Sequence, residues 1–228
     1  MSVFKISCAA TGLLFSSMAF STTWDFMAEH AKNSVPVERD QYVVVVDRNP
    51  DVQAVGVLEL KTDGSSVWHV QDKTSTGNDA RKGYFTTPTG VFRALAGGSY
   101  RAQGTRNANG VRGLGTKGMR VWDFGWQPTL KKGDIHDIRL QMHATDPDVL
   151  EKRLGAIASK GCVRVSTAMN RFIDENGVLD YPWHAYMDKY GYQLAPAQRK
   201  EPSSKAGLYM VVVDSSEVRK ELASQENH

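Results

Sequence analysis

Apolar and polar positions alternate along this chain in short blocks, and most blocks are too short for helices. Residues 41–47 (QYVVVVD) are a β-branched run bounded by Pro36 and Asn49-Pro50, which predicts a buried strand. Residues 53–60 and 66–71 predict two more strands around the tight-turn signal Asp63-Gly64. Further strands are expected at 91–95, 119–124, 137–143, 162–165 and 208–213. Pro128 and Lys132-Gly133-Asp134 separate 119–124 from 137–143. Helical signals are fewer. Residues 24–34 read as a short helix or arm ended by Pro36. Residues 146–154 start with an Asp cap and a Pro at the first helical position, and 166–175 start with a Ser cap and stop at Asn176-Gly177. The expectation is a mainly β protein with curved, packed sheets and a few short helices.

The connections carry information too. Residues 72–90 are turn-rich and end in Thr87-Pro88-Thr89-Gly90. Residues 97–118 hold seven Gly among Asn, Arg and Thr, too long for a simple link; they are either a functional lid or flexible surface. Residues 195–207 are a polar, Pro-containing linker. The strand at 208–213 faintly echoes 42–46, which is not a repeat architecture, and the last dozen residues read as a frayed helix.

Residues 1–21 depart from this pattern. Lys5 precedes an uncharged, largely apolar stretch, and the small residues Ala19 and Ser21 close it. That layout predicts a cleaved secretory signal, hence a periplasmic or otherwise exported protein. An uncleaved N-terminal anchor is the alternative, although the stretch falls short of the roughly 20 apolar residues of a membrane span. The expected organisation is a signal at 1–21, an N-terminal arm at 22–39, a main domain at 40–194, and a linker, strand and tail at 195–228.

Composition then narrows the functional classes. With 28 Lys and Arg against 25 Asp and Glu, the formal net charge is +3, falling to +2 without residues 1–21. That balance gives no support for nucleic-acid binding. An apolar content of 41% argues against disorder. Two Cys supply neither a disulfide scaffold nor a zinc cluster. Loss of the signal removes Cys8 and leaves Cys162 alone in a compartment where thiols tend to be oxidised. Such a thiol is either a buried inert side chain or a working nucleophile.

The surroundings of Cys162 favour the second. It lies in Ser159-Lys160-Gly161-Cys162-Val163-Arg164, where Gly161 permits a tight turn with amides aimed at an oxyanion, and two cations flank the thiol. A base is available in His143, which ends a predicted strand 19 residues upstream. The remaining histidines, 30, 69, 136, 184 and 228, read as surface or satisfied core groups. The setting of His136 (Asp134-Ile135-His136-Asp137) matches no metal signature.

His143, a fifteen-residue spacer and Ser159-Lys160-Gly161-Cys162-Val163-Arg164 together resemble the signature of L,D-transpeptidase catalytic domains. Thr87-Pro88-Thr89-Gly90-Val91-Phe92 resembles that family's second motif, in the expected upstream position, and Gly155 also fits. The resemblance covers roughly residues 40–180. It implies the family's curved-sheet fold and a cysteine acyltransferase acting on peptidoglycan stem peptides, with no metal or organic cofactor. Cys162 would be the nucleophile and His143 the general base, later the general acid. The implied support comes from Gly161, Ser159, Lys160 and the carbonyl of Ala144, and the implied substrate contacts from Thr87, Thr89, Gly90 and Arg164. For Arg164 three roles remain open: bracing the Cys loop, meeting a substrate carboxylate, or a salt bridge beneath the site. The acceptor would be an amine, giving a cross-link, or water. One departure is clear. The family usually has His where this chain has Lys160, which opens a second reading: a hydrolase or transferase of the same fold acting on another cell-envelope polymer. A non-catalytic binding module is the third.

Overall fold

Four consecutive valines, Val43 to Val46, are all fully buried because the strand that carries them is covered on both faces. The computed structural model describes residues 23–184 and 203–216. The expected signal at 1–21, most of the 195–207 linker and the expected terminal helix lie outside the described residues. In chain order the elements are α1 (Thr23–Ser34), β1 (Gln41–Asp47), β2 (Ala54–Leu60), β3 (Ser66–Lys73), β4 (Gly90–Arg93), β5 (Tyr100–Arg101), β6 (Arg120–Lys131), β7 (Asp134–Ala144), β8 (Val163–Val165), α2 (Thr167–Glu175) and β9 (Tyr209–Val213).

The strands form two mixed sheets, ordered β3-β2-β1-β9-β4 and β5-β6-β7-β8. The protein is therefore mainly β, as its patterning predicts. Val44 and Val46 point into a core shared with Trp122, Phe124, Leu140 and Met142 of the second sheet. Val43 and Val45 point the other way, onto Phe26, Met27 and Ala31 of α1. Burying each such side chain contributes about 1.5–3 kcal/mol. The strand at 208–213 belongs to this centre. Its β9 lies between β1, to which it is parallel, and β4, to which it is antiparallel.

Two local expectations are corrected. The strands expected at 119–124 and 137–143 extend much further, into one long hairpin, β6–β7. Pro128 sits inside β6, where a Pro is tolerated because β5 pairs only with Arg120 and Val121 and no strand pairs with the edge beside Pro128. Lys132 and Gly133, both at positive φ, make the two-residue turn. The helix expected at 146–154 reduces to one 3-10 turn, Glu151–Arg153. Its expected cap, Asp146, is fully buried; its Oδ1 accepts the Asp148 N–H at 3.0 Å, as a cap does, and the carboxylate also binds the backbone N–H and the guanidinium of Arg112. The helix α2 starts as predicted, with Ser166 Oγ accepting the Met169 N–H at 3.0 Å.

The Gly-rich segment 97–118 is tied to the body of the protein. Arg106 and Arg112 both reach Asp146 and Asp148, and Arg101 pairs with Asp174 of α2. Leu114 packs against Ala102, Met119, Val121 and Ala144. The segment thus lies beside the end of β7, next to His143.

Candidate active site

One face of the second sheet is apolar and the other polar, and the division follows from strand alternation. Leu140 and Met142 of β7, with Val163 and Val165 of β8, face the core. Arg139, Gln141 and His143 take the opposite face, and so does Arg164, the parallel register partner of His143. Cys162 immediately precedes β8, where the Gln141 main chain and the Arg164 guanidinium act on its thiol. The base expected from sequence thus lies near the end of β7, and the expected nucleophile immediately before the neighbouring parallel strand β8.

His143 is buried, and its Nδ1 lies 2.7 Å from the Ala144 carbonyl oxygen, which only accepts. Nδ1 therefore carries the proton, and Nε2 keeps its lone pair as a base. Burial, aided by the Arg164 charge and opposed by the Ala144 carbonyl, lowers the His143 pKa to about 4. The imidazole is neutral at neutral pH. Burial also pushes the Cys162 thiol above its ordinary value, against the pull of the Gln141 main chain and the Arg164 guanidinium; Asp123 adds to the rise. The resting pair is thus a thiol and a neutral imidazole.

The loop before Cys162 is held from both sides. Ser159 is buried; its Oγ accepts the Gly161 N–H at 3.0 Å and donates to the Cys162 carbonyl at 2.6 Å. The Gly161 amide, expected to face an oxyanion, is engaged by this hydroxyl. The Gly161 carbonyl accepts from Thr87 Oγ1 at 2.8 Å, and the same hydroxyl accepts the Gly77 N–H at 2.9 Å. Thr87, expected at the substrate, is fully buried and fastens the Cys loop instead. Two glycines make this closeness possible. Gly161 has φ +127°, and a Cβ on Gly77 would stand 2.4 Å from the Gly161 nitrogen.

The other expected residues divide. Arg164 donates to the Ala158 carbonyl at 3.0 Å, which braces the loop. No acidic side chain pairs with it among the described residues, so the salt-bridge reading of Arg164 is not the arrangement found. Lys160 is exposed, with its amine 5.7 Å from the Tyr84 ring centre. The cation acting on the thiol is Arg164. Thr89 is exposed and lines a separate cleft of about 480 Å³ between Thr86 and Pro88 on one side and Thr129, Leu130 and Ile135 on the other. Neither Cys162 nor His143 lines that cleft. Gly90 opens β4 and pairs with Val212.

Three neighbours of the site were not singled out by the sequence reading. Tyr84 lies near enough to Arg164 to act on its charge. Asp123 and Arg139 form an ion pair on the polar face, with Arg139 Nε 2.9 and 2.8 Å from the two carboxylate oxygens. The alternation of β7, Arg139-x-Gln141-x-His143, was the available signal for Arg139. No group of three or more His, Cys, Asp or Glu among the described residues is arranged to hold a metal ion. No protein-family model matches the chain, and no curated protein matches it.

Proposed function

We propose that this protein is an exported cysteine acyltransferase of the L,D-transpeptidase kind, acting on peptidoglycan stem peptides. The observation that carries the reading is that Cys162 immediately precedes β8, whose Arg164 is the register partner of His143 on β7 and acts on both groups, with Nδ1 of the imidazole fixed by Ala144. The substrate class rests on the sequence resemblance around these two residues and around Thr87-Pro88-Thr89-Gly90.

In this reading His143 Nε2 accepts the thiol proton as Sγ attacks the carbonyl of the third stem residue. The Cys162 amide and the Arg164 charge face the developing oxyanion, since the Gly161 amide is engaged by Ser159. The intermediate collapses to a thioester, and His143 returns the proton to the departing amine of D-Ala. An amine from another stem, or water, then attacks the thioester, again losing a proton to His143. The first outcome is a cross-link and the second a shortened stem.

The test is incubation of the protein lacking residues 1–21 with disaccharide-tetrapeptide, followed by mass spectrometry. D-Ala release or dimer formation is expected from wild type and not from Cys162→Ala. Identical blank results for both proteins would overturn the reading. A second reading keeps the thiol chemistry and changes the polymer. It is favoured by the outward position of Lys160 over Tyr84, which leaves the polar face without a second imidazole at this position. Soluble fragments released from isolated sacculi, without D-Ala release from tetrapeptide, would support it. Among the described residues no helix is long and apolar enough to cross a membrane.

A further inference from the structure

Arg139 has no part in the chemistry above, yet it lies on the same strand face as His143, four residues away. Its Nε is clamped between both oxygens of Asp123, a carboxylate that is itself only 4% exposed. Asp123 is fixed in turn, because its Oδ1 also accepts the Gly125 N–H at 2.7 Å. The Arg139 side chain remains 42% exposed. Its terminal nitrogens have no protein partner among the described residues. Between Arg139 and His143 on this face lies Gln141, the register partner of Asp123. The Gln141 main chain touches the Cys162 thiol. A guanidinium held at one nitrogen presents its other donors in a fixed fork, the geometry that matches a carboxylate.

We infer that Arg139, positioned by Asp123, binds a carboxylate of the substrate on the polar face beside Cys162 and selects for substrates that carry one there. This rests on the acyltransferase reading of the same site. Arg139 is a specificity residue in this account, and Asp123 positions it. Two carboxylates flank the scissile bond of a tetrapeptide stem: the terminal one on the leaving residue, and the side-chain one on a diaminopimelate third residue.

The experiment compares wild type, Arg139→Gln and Arg139→Lys on four stems: unmodified, amidated at the terminus, amidated at the third residue, and amidated at both. For wild type, amidation of the contacted carboxylate should raise KM about ten- to hundredfold, with a smaller change in kcat. Arg139→Gln should raise KM on the unmodified stem by a similar factor and lose the discrimination. Arg139→Lys keeps the charge but not the fork and should fall between them. The amidated stem that reproduces the Arg139→Gln defect identifies which carboxylate is held. Because Arg139→Gln leaves the Asp123 carboxylate buried and unpaired, Asp123→Asn/Arg139→Gln provides a folded comparison, with circular dichroism as the check. Equal KM values for wild type and both Gln-containing variants, with unchanged discrimination, would overturn the inference while leaving the acyltransferase reading intact. Absence of D-Ala release from wild type on every stem would overturn both.

Discussion

His143 and Arg164 are register partners on the parallel strands β7 and β8, so a permanent cation stands beside a histidine that must stay neutral to work. Burial is the main cause at both groups, lowering the imidazole pKa and raising the thiol pKa; the one guanidinium adds to the first shift and offsets part of the second. Replacing Arg164 by Met should therefore raise both. The His143 titration should move up from about 4, and alkylation of Cys162 by iodoacetamide should require higher pH. Histidine NMR and the pH dependence of alkylation read the two shifts separately.

His143 also predicts the response of the fold to acid. Its pKa is about 4 when folded, against 6.5 unfolded, so the unfolded chain takes up the proton first as pH falls. This contribution to stability is complete above about pH 6.5, is lost progressively toward pH 4, and levels off below that. Its size is roughly 3 kcal/mol by linkage. Urea unfolding of wild type and His143→Gln at several pH values should show the difference between them shrinking across this window. A parallel decline in the two proteins would assign the acid sensitivity elsewhere.

Ser159 Oγ joins the Gly161 amide to the Cys162 carbonyl in one short loop. Ser159→Ala leaves both without that partner, at a cost of about 1–3 kcal/mol. The protein should remain folded by circular dichroism, with a melting temperature lowered by several degrees, and acylation should slow about ten- to hundredfold because the thiol is no longer held in register. A variant with wild-type acylation would remove Ser159 from the positioning of Cys162.

Gly77 tests the tightness of the same loop from the other side. A Cβ there would meet the Gly161 nitrogen and the Phe85 carbonyl oxygen, both at 2.4 Å, and neither is a flexible side chain. Gly77→Ala should unseat the Cys loop and cost at least the 1–3 kcal/mol typical of overpacking. Thr87→Val, which removes only the hydroxyl between these segments, should give a milder form of the same defect. Thermal melts of the two variants set the order.

Lys160 provides a contrast. Its amine is exposed above Tyr84, and a solvated charge at that position is strongly screened. Lys160→Ala should change kcat/KM for acylation by less than about threefold. A loss comparable to that of Ser159→Ala would give the lysine a direct part in the reaction.

Much of this arrangement is legible in the sequence because it depends on local signals. The valine run of β1 and the Ser166 cap of α2 each report a local constraint, and each is met in the fold. What escapes the sequence is set by distant partners. Asp146-Pro147 has the form of a helix start, but Arg106 and Arg112 from a remote segment capture the Asp carboxylate. The same contacts tie down the Gly-rich stretch. Pro128 reads as a break until the unpaired edge beside it in β6 is known. Thr87 lies in a recognisable motif, yet only the fold reveals that its hydroxyl faces Gly77 and Gly161. Arg139 carries no motif, and its pairing with Asp123 depends on the register of the β6–β7 hairpin.

The central claim is that Cys162 attacks the substrate with His143 as its base. Intact-protein mass spectrometry after acid quenching of a reaction with disaccharide-tetrapeptide tests it most directly. The account predicts an adduct on wild type with the mass of the stem after loss of D-Ala, mapped to Cys162, absent from Cys162→Ala and strongly reduced in His143→Ala. D-Ala release that persists in Cys162→Ala, with no adduct on the wild-type thiol, would contradict it.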